Sequence, residues 1–140
     1  MTKLILIRHG QSLANAQNLF AGHSDFDLSE MGHEQARRSA DWIADHERVD
    51  VIYSSDLLRA YHTATPLGER LGLPVIPDKG LREIFAGEWE GLPFPYIAEH
   101  YADAFAVWRN DYSAARPVGG EATAEVYERI VPHIRALAKR

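Results

Sequence analysis

There is no cysteine among the 140 residues. Disulfides, thiolate nucleophiles and thiolate zinc sites are therefore excluded. The absence fits a reducing cytoplasm, where the protein is expected to reside. Long hydrophobic runs are also missing. The apolar stretch near the start, Leu4-Ile5-Leu6-Ile7, ends at Arg8, too short for a membrane span or a signal peptide. Positive charge is scarce: 20 acidic residues outnumber 15 basic ones, leaving a net charge of −5. Nucleic acid and anionic membranes favour a broad basic surface, so neither is expected as a partner. A G-x-x-x-x-G-K-[ST] loop is absent, which removes a nucleotide P-loop. His33-Glu34 is followed by Arg37 where H-E-x-x-H would place a second histidine, so that zinc pattern fails too. His23, His46, His62, His100 and His133 show no ligand spacing. No metal and no cofactor are expected.

What the chain does contain is ordinary for a soluble globule: 46% hydrophobic and 25% charged residues. Its length suits one domain over residues 1–140, able to bury roughly two-thirds of its unfolded surface. Residues 3–8 read as a buried first strand, because Leu4 to Ile7 form a short continuous apolar run. A long polar loop over 10–28 follows. Ser29 is placed to cap a helix reaching about Glu47, with Ala36, Ala40, Ile43 and Ala44 on one face. Val49 to Tyr53 predict a second buried strand. Ser55 or Asp56 would cap the next helix, bent at Pro66 and stopped by Gly72. Val75-Ile76, between two prolines, suit an edge strand. After a glycine-rich loop, Ile97, Ala98, Tyr101, Phe105 and Trp108 predict a helix over roughly 95–109. A last helix starts near Glu121 and bends at Pro132. The alternation of strand and helix predicts an α/β fold, a three-layer sandwich with a mainly parallel sheet flanked by helices.

Arg8-His9-Gly10 stands at the carboxyl end of the first predicted strand, the edge where open α/β sheets bind ligands. Neutral imidazole attacks phosphorus well and forms a covalent phosphohistidine. Arg8 next to it disfavours protonation of the ring. An isolated histidine at a strand end most often only satisfies hydrogen bonds; the arginine and glycine on either side tip the reading toward chemistry. Arg59, in the first turn after the second strand, reaches the same edge if the strands are parallel. Two guanidiniums can clamp the non-bridging oxygens of a phosphoryl group. Ser12 and Asn15 could donate to the same oxygens. Glu83, Glu88 and Glu90 each offer a carboxyl that could protonate a leaving oxygen and later deprotonate water. Spacing alone does not choose among the three.

Taken in order, these blocks resemble the histidine phosphatase superfamily, with its phosphoglycerate mutase-like fold. Arg8-His9-Gly10-Gln11-Ser12 with Asn15 is similar to its R-H-G-x-[ST]-x-x-N signature. Gly22, Asp25 to Ser29, Gly32 and Gln35-Ala36 resemble the following segment. Ser54 to Ala60, then Thr63-Ala64, resemble a second block, and Leu81-Arg82-Glu83 with Gly87 to Gly91 a third. Pro117 to Glu121 is similar to a P-x-G-E-S loop, with Ala122 in place of the usual serine. The resemblance implies that His9 carries the phosphoryl group, that Arg8 and Arg59 bind it, that Asn15 lies near it, and that Glu83 is the general acid and base.

The family's second essential histidine, in an S-H-G-like motif on a later strand, has no counterpart after residue 121. In the family that strand lies between the matching strands one and two. The chain is therefore expected to be C-terminally incomplete, or to receive the strand from another chain. The leading expectation is a metal-independent phosphomonoesterase acting on a small phosphorylated substrate and releasing phosphate. Its rivals are a phosphoglycerate mutase using the same histidine, and an impaired module that only binds phosphate ligands. The oligomeric state is left open, a homo-oligomer included.

Overall fold

The computed structural model describes residues 1–140. Helices dominate: α1 (Leu13–Ala16), α2 (Glu30–His46), α3 (Leu58–Leu71), α4 (Phe94–His100), α5 (Ala102–Asn110) and α6 (Thr123–Leu137). The sheet has two strands, β1 (Ile52–Ser54) and β2 (Val75–Pro77), paired in parallel with Ile52 opposite Val75 and Ser54 opposite Pro77. None of the helices is long and apolar enough to cross a membrane. The chain divides into two compact units, one of Met1–Leu4, Gln17–Ser24 and Glu83–Arg140, the other of Ile5–Ala16 and Asp25–Arg82.

The unit containing α2 and α3 is built by amphipathic helices on the small sheet. Ala40 and Ile43 of α2, Ile52 of β1 and Leu67 of α3 form its buried cluster, with Ala44, Ala64, Leu71 and Val75 packed around them. Ser29 caps α2 as its sequence position requires, its side chain accepting from the Gly32 N–H. Gly72 ends α3 in the left-handed region at φ 66°, where a residue without Cβ carries no steric penalty. The other predicted cap is not made. Leu57 occupies the N-cap of α3 and has no side-chain oxygen. Its neighbours compensate: Ser55 Oγ accepts from the Leu57 N–H at 3.3 Å and Asp25 Oδ1 from the Leu58 N–H at 2.8 Å. A carboxylate remote in sequence thus satisfies an orphan donor of the first turn.

The unit containing α4 to α6 packs around Trp89, which is fully buried. Phe20, Tyr101, Phe105 and Trp108 meet its ring edge to face at 5.9–6.2 Å. Such pairs add about 0.5–1.5 kcal/mol each beyond area burial. Trp89 Nε1 is buried without a hydrogen-bond partner, an opposing cost of about 1–3 kcal/mol. The predicted helix over 95–109 is interrupted at Tyr101, whose φ of −129° and ψ of 43° are not helical. Ile97, Phe105 and Trp108 still face one cluster. At the start of α6, Glu125 accepts from the Ala122 N–H at 2.9 Å. Alanine has no oxygen to return the bond, so only half of a capping box forms.

One expected element is missing. Residues 3–8 form no strand. Leu4, Ile5, Leu6 and Ile7 are exposed, Leu6 to 77%, and no hydrogen bond engages their backbone. A strand exists only through its ladder, and here no neighbour supplies one. Apolar composition shows that a segment can be buried, but burial needs a partner.

Arg82 grips Asp56 with two bonds, Nε to Oδ1 at 2.7 Å and Nη2 to Oδ2 at 2.6 Å. These bonds outweigh partial burial and hold the Asp56 carboxyl below its ordinary pKa. Its contribution is complete above the unfolded value near pH 3.9 and is lost as pH falls through the lower folded value. Asp56→Asn should remove on the order of 1 kcal/mol at neutral pH. It should also flatten the fall in urea midpoint between about pH 5 and pH 2. An unchanged acid limb in the variant would show that the pair contributes nothing.

Candidate phosphate-binding site

His9 is half-buried, and its Nδ1 lies 2.6 Å from the Gly10 carbonyl oxygen. A carbonyl can only accept, so Nδ1 carries the proton. In the neutral ring the lone pair then resides on Nε2. One backbone contact thus sets the tautomer that a nucleophilic imidazole needs.

The loop carrying His9 is seated on the first turns of α2. Gln11 N–H donates to Gln35 Oε1 at 2.8 Å. Ser29 N–H donates to the Gln11 carbonyl at 2.9 Å, and Ser29 Oγ donates to Gln11 Oε1 at 2.7 Å. Gly32 makes this approach feasible: a Cβ there would lie 2.0 Å from the Gln11 carbonyl oxygen, and one on Gly10 would lie 2.5 Å from the Gly32 oxygen.

Arg59 is the second residue of α3 and is only 1% exposed. Low-dielectric surroundings strengthen the attraction of its guanidinium for an anion. Thr63, one turn later, links the two parts. Its Oγ1 donates to the Arg59 carbonyl at 2.6 Å and accepts from the Gly10 N–H at 3.1 Å. The structure therefore ties the His9 loop to the helix turn that carries Arg59. Arg8, His9, Gly10 and Thr63 line a cavity of about 330 Å³ together with Gln35, Ala36 and Ser39.

Ser12 and Asn15 lie together in a different role from simple loop donors. Asn15 Oδ1 accepts from the Ser12 N–H at 2.9 Å, and Ser12 Oγ accepts from the Asn15 N–H at 3.0 Å. This reciprocal pair opens α1. Asn15 is exposed and its amide nitrogen remains a donor group; Ser12 is fully buried.

Thr63, which the sequence placed only in a motif block, and His62, read as a surface or partly buried side chain, both make contacts near the site. His62 Nδ1 is 2.7 Å from Asp27 Oδ1. Burial alone would raise the Asp27 pKa, but the His62 and Leu28 hydrogen bonds and the charges of His62 and His33 outweigh it and lower it. The signal was present in the helical spacing: Thr63 stands four residues after Arg59, on the same face of α3.

In the other unit the three candidate acids separate. Glu90 is consumed as a clamp. Its carboxylate accepts from the N–H groups of His23 at 2.7 Å, Ser24 at 2.8 Å and Ala86 at 3.0 Å, and from the Ser24 hydroxyl. Gly22, at φ 55°, leaves room for this, since a Cβ there would lie 2.3 Å from Glu90 Oε1. Glu88 is exposed, its N–H tied to the Val118 carbonyl at 2.9 Å. Glu83 is exposed, with its backbone carbonyl accepting from His23 Nε2 at 2.8 Å and Arg129 Nη2 at 2.7 Å. Burial and the Glu83 charge push the Tyr112 phenol up, which sets that ring within electrostatic reach of Glu83.

Residues 4–140 match the histidine phosphatase superfamily (branch 1). Glucosyl-3-phosphoglycerate phosphatase of Mycolicibacterium vanbaalenii is 39% identical over 135 residues, spanning 96% of this chain and 59% of that protein. Phosphoserine phosphatase 1 of Hydrogenobacter thermophilus is 38% identical over 140 residues, spanning 100% of this chain and 66% of that one. A solved mycobacterial glucosyl-3-phosphoglycerate phosphatase, in complex with VO3, superimposes with a TM-score of 0.84 at 40% identity, over 92% of this chain and 63% of its own. Bacillus stearothermophilus YhfR gives 0.89 at 28% identity, over 95% and 65%. The chain thus spans roughly three-fifths to two-thirds of these relatives.

Gly32→Ala provides a direct test of the seat beneath His9. In an unconstrained helix the change would stabilise by roughly 0.5–1 kcal/mol. Here the added methyl meets the Gln11 carbonyl, and a loss of about 1–3 kcal/mol is expected instead. Urea unfolding measures the sign. Calorimetry with inorganic phosphate should show weakened binding in the same variant.

Proposed function

The chain belongs to the histidine phosphatase superfamily, and we propose that it hydrolyses small organic phosphomonoesters through a phosphohistidine on His9. Nε2 attacks phosphorus in line while the bond to the leaving oxygen breaks. Arg8 and Arg59 hold the non-bridging oxygens, neutralising charge that spreads over them in the transition state. Ser12 and Asn15 add hydrogen bonds on the same side. Glu83 gives its proton to the departing alcohol. Water then attacks the phosphohistidine, Glu83 takes up its proton, and phosphate and neutral imidazole are restored.

The observation that carries this reading is the 2.6 Å contact of His9 Nδ1 with the Gly10 carbonyl. The burial of Arg59 and its link to Gly10 through Thr63 support it. So do the names of the two similar enzymes, both phosphatases of small phosphorylated molecules. A phosphoglycerate mutase would use the same histidine but return the phosphoryl group to the substrate.

The bare run Leu4–Ile7 favours a second reading. Its backbone is open to pairing with one further strand, supplied by another part of a longer polypeptide or by another chain. Without that strand the site binds phosphate ligands and turns them over poorly. Saturable phosphate binding with no turnover would select this reading over both enzymes.

His9→Ala should lower phosphomonoester hydrolysis by roughly a thousandfold or more, with the fold intact by circular dichroism. Rapid quench with a ³²P-labelled ester should trap base-stable, acid-labile label on the parent chain and none on the variant. Equal rates, or label retained without His9, would remove the mechanism. Isomerisation of 3-phosphoglycerate with a bisphosphoglycerate primer, without phosphate release, would replace hydrolase by mutase.

A further inference from the structure

Glu83 sits in a stretch with no regular secondary structure. The direction of its side chain therefore depends on whatever holds that backbone. We infer that His23 and Arg129 are positioning residues for Glu83, both donating to its carbonyl oxygen and fixing where its carboxyl group emerges. This rests on the reading of Glu83 as the general acid.

The two donors, His23 Nε2 at 2.8 Å and Arg129 Nη2 at 2.7 Å, fill the two lone pairs of one oxygen. The carbonyl accepts, so His23 must carry its proton on Nε2. Each donor is itself held. Arg129 binds Glu121 through Nε at 2.7 Å and Nη2 at 3.0 Å. His23 is anchored by its N–H on Glu90 Oε1, and its ring lies against Phe85 at 5.3 Å, with Glu121 Oε1 3.8 Å from Nε2. Glu121 closes the frame. Its Oε1 accepts from the Phe85 N–H and its own N–H donates to the Phe85 carbonyl, both at 2.8 Å. Arg129 keeps the Glu121 carboxyl below its ordinary pKa, so the frame stays charged. Ile84, between the two tethered residues, is buried in the Trp89 cluster. Residues 83 and 85 are thus pinned by side chains on either side of a hydrophobic anchor.

General acid catalysis matters most for poor leaving groups, which gives a test that simple loss of folded protein would not mimic. Rates are compared for 4-nitrophenyl phosphate, whose leaving group needs little protonation, and for an alkyl phosphate, whose leaving group needs it fully. His23→Leu should slow the alkyl ester about tenfold and the aryl ester less than about twofold. His23→Gln, whose amide N–H can reach the same carbonyl, should restore most of the alkyl rate. Arg129→Met should behave like His23→Leu. Glu83→Gln is the reference. If it slows both esters equally, the general-acid reading fails; if it selects against the alkyl ester while His23→Leu does not, the positioning role fails. An assay free of turnover runs beside these: ¹⁵N relaxation of the backbone amides. Order parameters at Glu83 to Phe85 should fall toward about 0.6 in His23→Leu and recover in His23→Gln. Unchanged order there would overturn the inference.

Discussion

The contact on which the histidine loop depends is one between bare backbones, Gly10-Gln11 against Gly32 in the first turns of α2. Neither glycine is there for an unusual dihedral angle; each is there because a methyl group would meet a carbonyl oxygen. That closeness lets the Ser29 and Gln35 side chains reach Gln11 and hold the loop from both sides. The result is a short segment held by side-chain hydrogen bonds, from which the imidazole projects with its tautomer chosen by its own next residue. For the reaction proposed here such a hold matters, since reacting groups misplaced by an ångström lose large factors in rate.

Thr63 extends the constraint to the cation. A threonine hydroxyl has one proton to give and lone pairs to receive, and here both are used, toward Arg59 and Gly10. Helix α3 and the histidine loop are therefore coupled without any regular sheet pairing between them. In the other unit, carboxylates replace backbone ladders. Glu90 collects four donors from two loops and Glu121 frames residues 83–85. Loops of this kind are stable because their polar groups are paired by side chains when secondary structure cannot pair them. Trp89, with its unpartnered indole N–H, shows the opposite balance: four edge-on aromatic rings outweigh one unmet hydrogen bond.

Three elements differ from what local sequence predicts. Leu4 to Ile7 are apolar enough for a core strand yet lie exposed, because pairing is a property of two segments and the run itself encodes one. Ser55 and Asp56 look like caps of α3, but Leu57 takes the position and Asp25 supplies the acceptor from 33 residues away. The continuous helix over 95–109 breaks at Tyr101, where its apolar spacing carries no sign of the break. At the cap of α3 the competitor is a long-range interaction that local propensity does not contain.

Local chemistry is written in the chain: the histidine with its adjacent arginine, the cap of α2, the glycine stop of α3, the edge character of β2 and the order of motif blocks all follow from short stretches whose physics is self-contained. Tertiary structure alone decided which of three glutamates is spent as a clamp, which histidine nitrogen holds its proton, that a threonine would bridge Arg59 to Gly10, and that the first apolar run would stand without a neighbour. The clamp and the threonine bridge depend on residues far apart in sequence, and the tautomer on how the ring folds back onto the next carbonyl; local propensity contains neither.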